Sequence, residues 1–143
     1  MTTIRDIRPA LRFLLLGDPA VNAAVGGTRV YAVLAPQGEV RPMVVYSRVS
    51  GLGVGNMGGA SGLTMVRVQV DCWAQDMSVA ANLANLVKSR LDGFSGEIFW
   101  DESSPGNSVV VQGIIYETER DRYDDVAIMF GNSRDYLIWY AEL

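Results

Sequence analysis

The sequence feature that most constrains the fold is a strict alternation of apolar and polar side chains in residues 64–74. Four apolar residues alternate there with three polar ones, in the order Val66, Arg67, Val68, Gln69, Val70, Asp71, Cys72. Successive side chains of a β-strand point to opposite faces of the sheet. The pattern therefore predicts a strand with one buried face, whose other face meets water or a partner.

Apolar residues spaced three and four apart predict an amphipathic helix at the start of the chain. They are Ile4, Ile7, Leu11, Leu14 and Leu15. Pro9 decides where this helix begins, because proline is tolerated in the first turn and kinks a helix interior. We favour Asp6 as the N-cap over Thr3, since the later start places Pro9 in the first turn.

Capping residues predict two further helices. Asp18, Pro19 and Gly26 are typical of the N-cap, first residue and C-terminal glycine of a short helix over residues 20–25. Asp76 can cap a helix over residues 77–91, and Gly93 can end it in the left-handed conformation. The apolar stripe of that longer helix consists of Ala80, Leu83, Ala84, Val87 and Leu91.

The remaining segments read as strands with short connections. The predicted strands cover residues 29–33, 43–50, 64–74, 97–101 and 108–118, with a last one inside residues 128–140. A bulge is expected in the last strand at Gly131 and Asn132. Short connections favour antiparallel pairing. The prediction is a single domain over residues 1–143 in the α+β class, with a mainly antiparallel sheet packed against the 77–91 helix and N-terminal helices.

Composition argues against most enzymatic and membrane functions. The 143 residues include no histidine and one cysteine, and the formal net charge is −4. Histidine is the commonest general base and a frequent zinc ligand, so its absence disfavours most hydrolase mechanisms. Cys72 lies on the apolar side of its strand, where a thiol packs and is inert. We expect no catalytic residue, cofactor or metal, no membrane association, and synthesis in a reducing cytoplasm.

A glycine-rich segment, residues 51–62, has two readings. Gly53, Gly55 and Gly58 formally match the G-x-G-x-x-G fingerprint of dinucleotide-binding proteins. That motif requires a helix immediately afterwards, and here a strand follows. We therefore predict a long, mobile hairpin tip, which could become ordered against a neighbouring subunit.

Acidic residues near the end of the 108–118 strand also have two readings. They are Glu117, Glu119, Asp121, Asp124 and Asp125, and they could suggest a Mg²⁺ or Ca²⁺ site. Arg120 and Arg122 interleave with them, which is more typical of a self-neutralising surface on a strand end and turn. Asp101 and Glu102 are adjacent, so on a strand they would face opposite ways and make a poor acid and base pair.

The order of short sequence pieces resembles one known family. The pieces are Val25-Gly26, Arg29-Val30-Tyr31-Ala32, Ala35-Pro36-Gln37-Gly38, Val45-Tyr46, Val68-Gln69-Val70-Asp71-Cys72-Trp73-Ala74, Glu119-Arg120-Asp121, Asp135-Tyr136 and Ile138-Trp139-Tyr140. Together they resemble the tail-terminator or tail-completion proteins of long-tailed bacteriophages, prophages and gene-transfer agents over nearly the whole chain.

The resemblance implies a structural virion protein. Such a protein forms a ring, expected to be a hexamer, at the head-proximal end of the tail tube, stops tube polymerisation and contacts the head-side connector. The partners would be other copies of the chain, tail-tube protein and the connector, with DNA only as passing cargo. A head-to-tail connector of the neck is the alternative. The candidate interface residues are Arg67, Gln69, Asp71, Gly53, Asn56, Met57, Arg120, Arg122 and Asp124.

Overall fold

The computed structural model describes residues 7–36, 38, 41–56, 59–99 and 108–141, with residues 52–56 and 59–62 described through their backbone. The helices within these residues are α1 (Ile7–Leu16), α2 (Pro19–Ala24) and α3 (Met77–Leu91). The strands are β1 (Val30–Ala32), β2 (Met43–Asn56), β3 (Gly59–Ala74), β4 (Gly96–Phe99), β5 (Ser108–Asp124) and β6 (Met129–Ala141). The predicted order of elements and the α+β class are confirmed.

All six strands form one sheet in the order β1-β2-β3-β6-β5-β4. Four of the five neighbouring pairs are antiparallel, as predicted. The exception is β1, which pairs parallel with β2 and places Tyr31 beside Val45. The expectation of antiparallel pairing was wrong for this strand. The parallel ladder is short, because β1 contributes only three residues to it.

The predicted capping residues lie at the ends of α2 and α3. Asp18 accepts hydrogen bonds from the Ala20 and Val21 amides, and Pro19 is the first residue of α2. Asp76 accepts from the Ser78 amide at the start of α3. Beyond α3, Gly93 has a φ of +82°, the left-handed conformation that glycine adopts without strain. The predicted cap of α1, Asp6, lies outside the described residues.

The hydrophobic core lies between the helices and one face of the sheet. We call this side of the sheet the helix-facing side and the opposite side the outer face. All five residues of the predicted α3 stripe are buried in the core, as are Ile7, Leu11, Leu14 and Leu15 of α1. Val66, Val68, Val70 and Cys72 meet them from the sheet. The alternation in β3 was therefore read correctly.

Arg134 fastens α3 to the β5–β6 hairpin from within the core. This arginine is 7% exposed. Its guanidinium donates to Asn132 Oδ1 at 2.9 Å and to Asn85 Oδ1 at 2.9 Å, and reaches the Ala84 carbonyl at 3.4 Å. It also pairs with Glu119 at 3.0 Å. A buried cation is tolerated when paired and hydrogen-bonded, as here.

The glycine-rich segment is strand rather than loop, which corrects the predicted hairpin tip. β2 and β3 stay paired through it, with Gly51 beside Val66 and Gly53 beside Thr64, as far as Asn56 beside Gly59. The ladder is made by backbone groups, so glycine weakens it without preventing it. The mobility of this hairpin stays a prediction.

The ends and irregularities of β5 and β6 also differ from expectation. β5 continues past Thr118 to Asp124, because it pairs with β6 along that whole stretch. No bulge occurs at Gly131 and Asn132, where the register with both neighbours is continuous. The register shifts of β5 lie instead between Val111 and Gly113 and between Tyr116 and Thr118.

Cys72 lies in the core, as predicted from its place in the alternation. The side chain is buried on the helix-facing side. Burial raises the pKa of this thiol, and the nearby Arg134 opposes that shift only partly. The thiol therefore stays protonated and unreactive at neutral pH.

Removing the buried arginine should destabilise the fold far more than removing an exposed one. Arg134→Met leaves the Ala84 carbonyl and the Asn85 and Asn132 side chains without their donor, so we expect a loss of about 1–3 kcal/mol in the free energy of unfolding. Arg120→Met, on the opposite face of the same sheet, should cost less than about 1 kcal/mol. Urea denaturation measures both. Equal effects would contradict the role given to Arg134.

Candidate functional site

The outer face of the sheet brings together five of the nine predicted interface residues. Arg67, Gln69 and Asp71 project from β3, and Arg120 and Arg122 project from β5 on the other side of β6. No described element covers them, since the three helices pack on the helix-facing side. The prediction that the polar residues of β3 share one face is confirmed.

These side chains form a continuous network that we call the charge ladder. It consists of Arg67, Gln69, Asp71, Glu117, Arg120, Arg122, Ser133 and Asp135. Arg67 pairs with Glu117 and lies 3.8 Å from Asp135. Arg120 donates to Gln69 and lies 3.7 Å from Asp135. Arg122 lies 3.5 Å from both Asp71 and Ser133. Three arginines thus balance three carboxylates.

The arginines cover the acids of the ladder. Asp71 is 8% exposed, and the Asp135 side chain is 14% exposed, whereas the Arg120 side chain is 48% exposed. Gln69 holds Asp71 from the side, donating to Oδ1 at 2.9 Å. Each exposed pair adds little stability. What the ladder presents outward is a row of guanidinium groups, which suit carboxylate or carbonyl acceptors on a partner.

An apolar cleft adjoins one end of the ladder, and we call it the Trp73 cleft. It encloses about 570 Å³ between the 33–38 segment, the starts of β2 and β6, and the β5–β6 turn. The Trp73 ring forms part of its lining, with the Arg122 guanidinium 5.3 Å from the ring centroid. Gly131 lies against the ring: a Cβ there would stand 2.7 Å from a ring carbon.

Large apolar side chains are exposed around the rim of the Trp73 cleft. Leu34 is 81% exposed and Val126 is 91% exposed. Val33 and Ile128 are also exposed, and both have positive φ angles, which β-branched residues rarely adopt. The Arg41 guanidinium connects the two segments by donating to the Ala127 carbonyl at 2.9 Å. Strained backbone of this kind is typical of binding sites.

A second apolar groove lies at the other end of the outer face. It encloses about 540 Å³ and is lined by Leu63, Ile115 and Trp139 among others. The outer face is therefore polar in its middle and apolar at both ends, with one tryptophan at each end. Such a mixture of aromatic anchors and arginine is typical of protein interfaces.

The other predicted interface residues lie elsewhere. Gly53 and Asn56 are on the far part of the β2–β3 hairpin, and Met57 is outside the described residues. Asp124 is not on the ladder: its side chain accepts from the Val126 and Ala127 amides and so shapes the β5–β6 turn. Sequence reasoning missed Asp135 and Ser133, although Asp135 alternates with the buried Tyr136, Ile138 and Tyr140.

The acidic residues weighed as a metal site point in different directions. Glu117 joins the ladder on the outer face, whereas Glu119 and Asp121 contact Arg134 and Asn132 on the helix-facing side. Within the described ranges, no group of three or more potential ligand side chains comes together. Asp101 and Glu102 lie outside those ranges. Of the helices described, none has the length and apolar character needed to span a membrane.

The contact of Trp73 with Gly131 can be tested by adding one methyl group. Gly131→Ala should push the ring from its place, lowering the free energy of unfolding by about 1–3 kcal/mol and changing the tryptophan emission. Gly113→Ala is the matched control, since a Cβ there meets nothing within 4 Å. Unfolding monitored by fluorescence measures both. If Gly131→Ala changes neither the free energy of unfolding nor the tryptophan emission, the position of the Trp73 indole ring does not depend on this glycine.

Comparison with known proteins agrees with the fold and assigns a family. No curated protein sequence matches the chain significantly. One solved structure with the same fold is a chain from the "virion of native gene transfer agent (GTA) particle", with a TM-score of 0.73, 17% sequence identity and 94% of each chain covered. The family model described as "Tail completion protein gp17" matches residues 9–126. The chain belongs to the gp17 tail completion family.

Proposed function

We propose that the chain acts as a ring, a hexamer, at the head-proximal end of the tail tube. Its membership of a tail completion family supports a structural role in the tail of a phage-type virion. The ring stops tube polymerisation and offers its upper surface to the head-side connector. It is assembled in the bacterial host cytoplasm, and its place in the virion is the neck. The role requires no catalysis, cofactor or metal.

One observation carries this proposal: no described element covers the outer face, which combines a row of arginines with exposed apolar side chains. A strand face that only met water would not need the Trp73 cleft, with Leu34 and Val126 exposed at its rim. Exposed apolar groups next to charged ones suit association between proteins. The similarity to a gene transfer agent virion chain supports a place in a particle of this kind.

We assign the outer face to contacts with other virion subunits. The arginines of the charge ladder, Arg67, Arg120 and Arg122, would bind acceptor groups of the tail-tube protein. The Trp73 cleft would hold an apolar side chain of the same partner. Gly53 and Asn56 on the β2–β3 hairpin, Asp124 at the β5–β6 turn, and Met57 remain candidates for contacts with the connector or with other copies.

DNA would pass through such a ring without being held. The chain carries a net charge of −4, and the ladder arginines are matched by carboxylates. A surface that retains DNA needs an excess of cations to neutralise phosphates. A ring whose interior proved strongly basic would contradict this part of the proposal.

The ring is tested by its mass in solution. Light scattering over a range of protein concentrations, alone and with tail-tube protein, should give a hexamer mass, either spontaneously or when the tube is present. A chain that stays monomeric with the tube and binds the head-side complex first would be a connector instead. That outcome would contradict termination.

The assignment of the Trp73 cleft is tested by one charged substitution. Val126→Asp places a carboxylate at the rim of the cleft, so affinity for tail-tube protein should fall about tenfold or more, since each 1.4 kcal/mol is a factor of ten. Val126 is 91% exposed, so folding should not change. Val79→Asp, at an exposed position on α3, is the matched control. Equal affinities for the two variants would exclude the cleft.

A further inference from the structure

The sheet has two long strands whose outer edges are covered over only part of their length. β1 pairs with residues 44–46 of β2, and β2 continues to Asn56. At the other side of the sheet, β4 pairs with residues 108–111 of β5, and β5 continues to Asp124. Each side of the sheet therefore ends in a short strand beside a much longer one.

Backbone groups along these longer edges have no strand partner among the described residues. On β5, Gly93 donates to the Ile114 carbonyl and Asp92 accepts from the Tyr116 amide. From residue 117 to residue 124, no further backbone partner is described on that edge. The same holds for β2 from residue 47 to residue 56, beyond the Val33 amide that donates to Tyr46. Open edges of this length are templates for another strand.

The two open edges fit each other in direction. β2 runs antiparallel to β3, β3 to β6, and β6 to β5. In a ring whose axis follows the strands, β2 of one copy would therefore meet β5 of the next copy antiparallel. The contact joins two different surfaces of the same chain, head to tail. Such heterologous contacts give a ring when the rotation from one copy to the next closes.

The edges also carry opposite charges that lack an ionic partner among the described residues. Arg48 pairs with Val68, so its side chain is on the helix-facing side, where no described carboxylate comes within ion-pair distance. Asp121 is on the same side, opposite Asn132, and the one hydrogen bond of its side chain within the described part of the chain is accepted from the amide of that residue at 3.0 Å. One edge thus offers a cation and the other an anion, on the same side of the sheet.

Arg48 can be set opposite Asp121 in this arrangement. Residues 47–52 then face residues 122–117, with β1 beyond one end of the new ladder and the contacts of Asp92 and Gly93 with β5 beyond the other. Within one copy, the strand register places Arg48 beside Val68, and Val68 beside Tyr136 of β6. Asp121 lies beside Asn132, which is four residues from Tyr136 along β6. This offset of four residues is about 14 Å along the strands, and the four strands together are about 19 Å wide. The two lengths give a strand tilt of about 35°, which closed sheets adopt.

We propose that the ring is closed by strand pairing between β2 of one copy and β5 of the next, with Arg48 of the first copy bound to Asp121 of the second. The inference rests on the proposed ring and specifies its subunit contact. The sheets of successive copies then form one continuous sheet, and the helices stay on one side of it. Pairing of this kind removes the open edges that a single copy leaves.

The test is a charge swap. Arg48→Glu and Asp121→Arg, each alone, place like charges together and should raise the concentration needed for assembly at least about tenfold. The double variant restores opposite charges and should assemble within about threefold of the wild type. Glu97→Arg, an exposed acid on β4 outside the new ladder, is the control. Light scattering with tail-tube protein present is the readout.

Other outcomes separate this inference from the proposed function. If each single variant forms rings as readily as the wild type, the strand pairing is overturned and the proposed ring still stands. A wild type that forms no ring overturns both. Because Asp121→Arg also removes the hydrogen bond to Asn132, Asp121→Asn serves as a second variant. Hydrogen exchange should show new protection in residues 47–52 and 117–122 on assembly, and its absence would overturn the pairing.

Discussion

The structure depends on one constraint: the helices cover only one face of a six-stranded sheet. α1, α2 and α3 bury the apolar side chains of the helix-facing side, and Arg134 holds α3 to the β5–β6 hairpin through four acceptors. No described element covers the opposite face, so its side chains satisfy one another. The charge ladder does this, with each arginine placed against a carboxylate. A face arranged in this way is stable in water and still available to a partner.

The same one-sided packing explains why the apolar groups of the outer face lie at its ends. Charged residues occupy the middle, where strands β3, β6 and β5 run side by side. Trp73 and Trp139 lie at opposite ends, next to a cleft and a groove. Val33 and Ile128 hold strained conformations near the cleft, a cost of order 1–3 kcal/mol each that a purely structural turn would avoid. We attribute that cost to the shape that a tail protein needs for its neighbour.

Local patterns in the sequence predicted the parts of the fold that depend on local physics. Alternation in β3, the α3 stripe and the Asp18 and Asp76 caps each depend on residues close in sequence, and each prediction was confirmed. The errors concern long-range pairing. Glycines at 51 and 53 predicted a loop, and β3 pairing overrides that local preference. Gly131 predicted a bulge, whereas it makes room for the ring of Trp73, 58 residues away in the chain.

The site was predictable to the same extent. Arg67, Gln69 and Asp71 were identified from a single strand, but the contact of Arg67 with Asp135 depends on β6 lying between β3 and β5, which no local pattern reveals. The proposal that this chain closes a ring on the end of a tail tube is tested most directly by electron cryomicroscopy of tail tubes mixed with the protein. We expect a closed ring at one end of each tube, with a continuous sheet and all helices on one side of it. Single copies scattered along the tube, or tubes with bare ends, would contradict it.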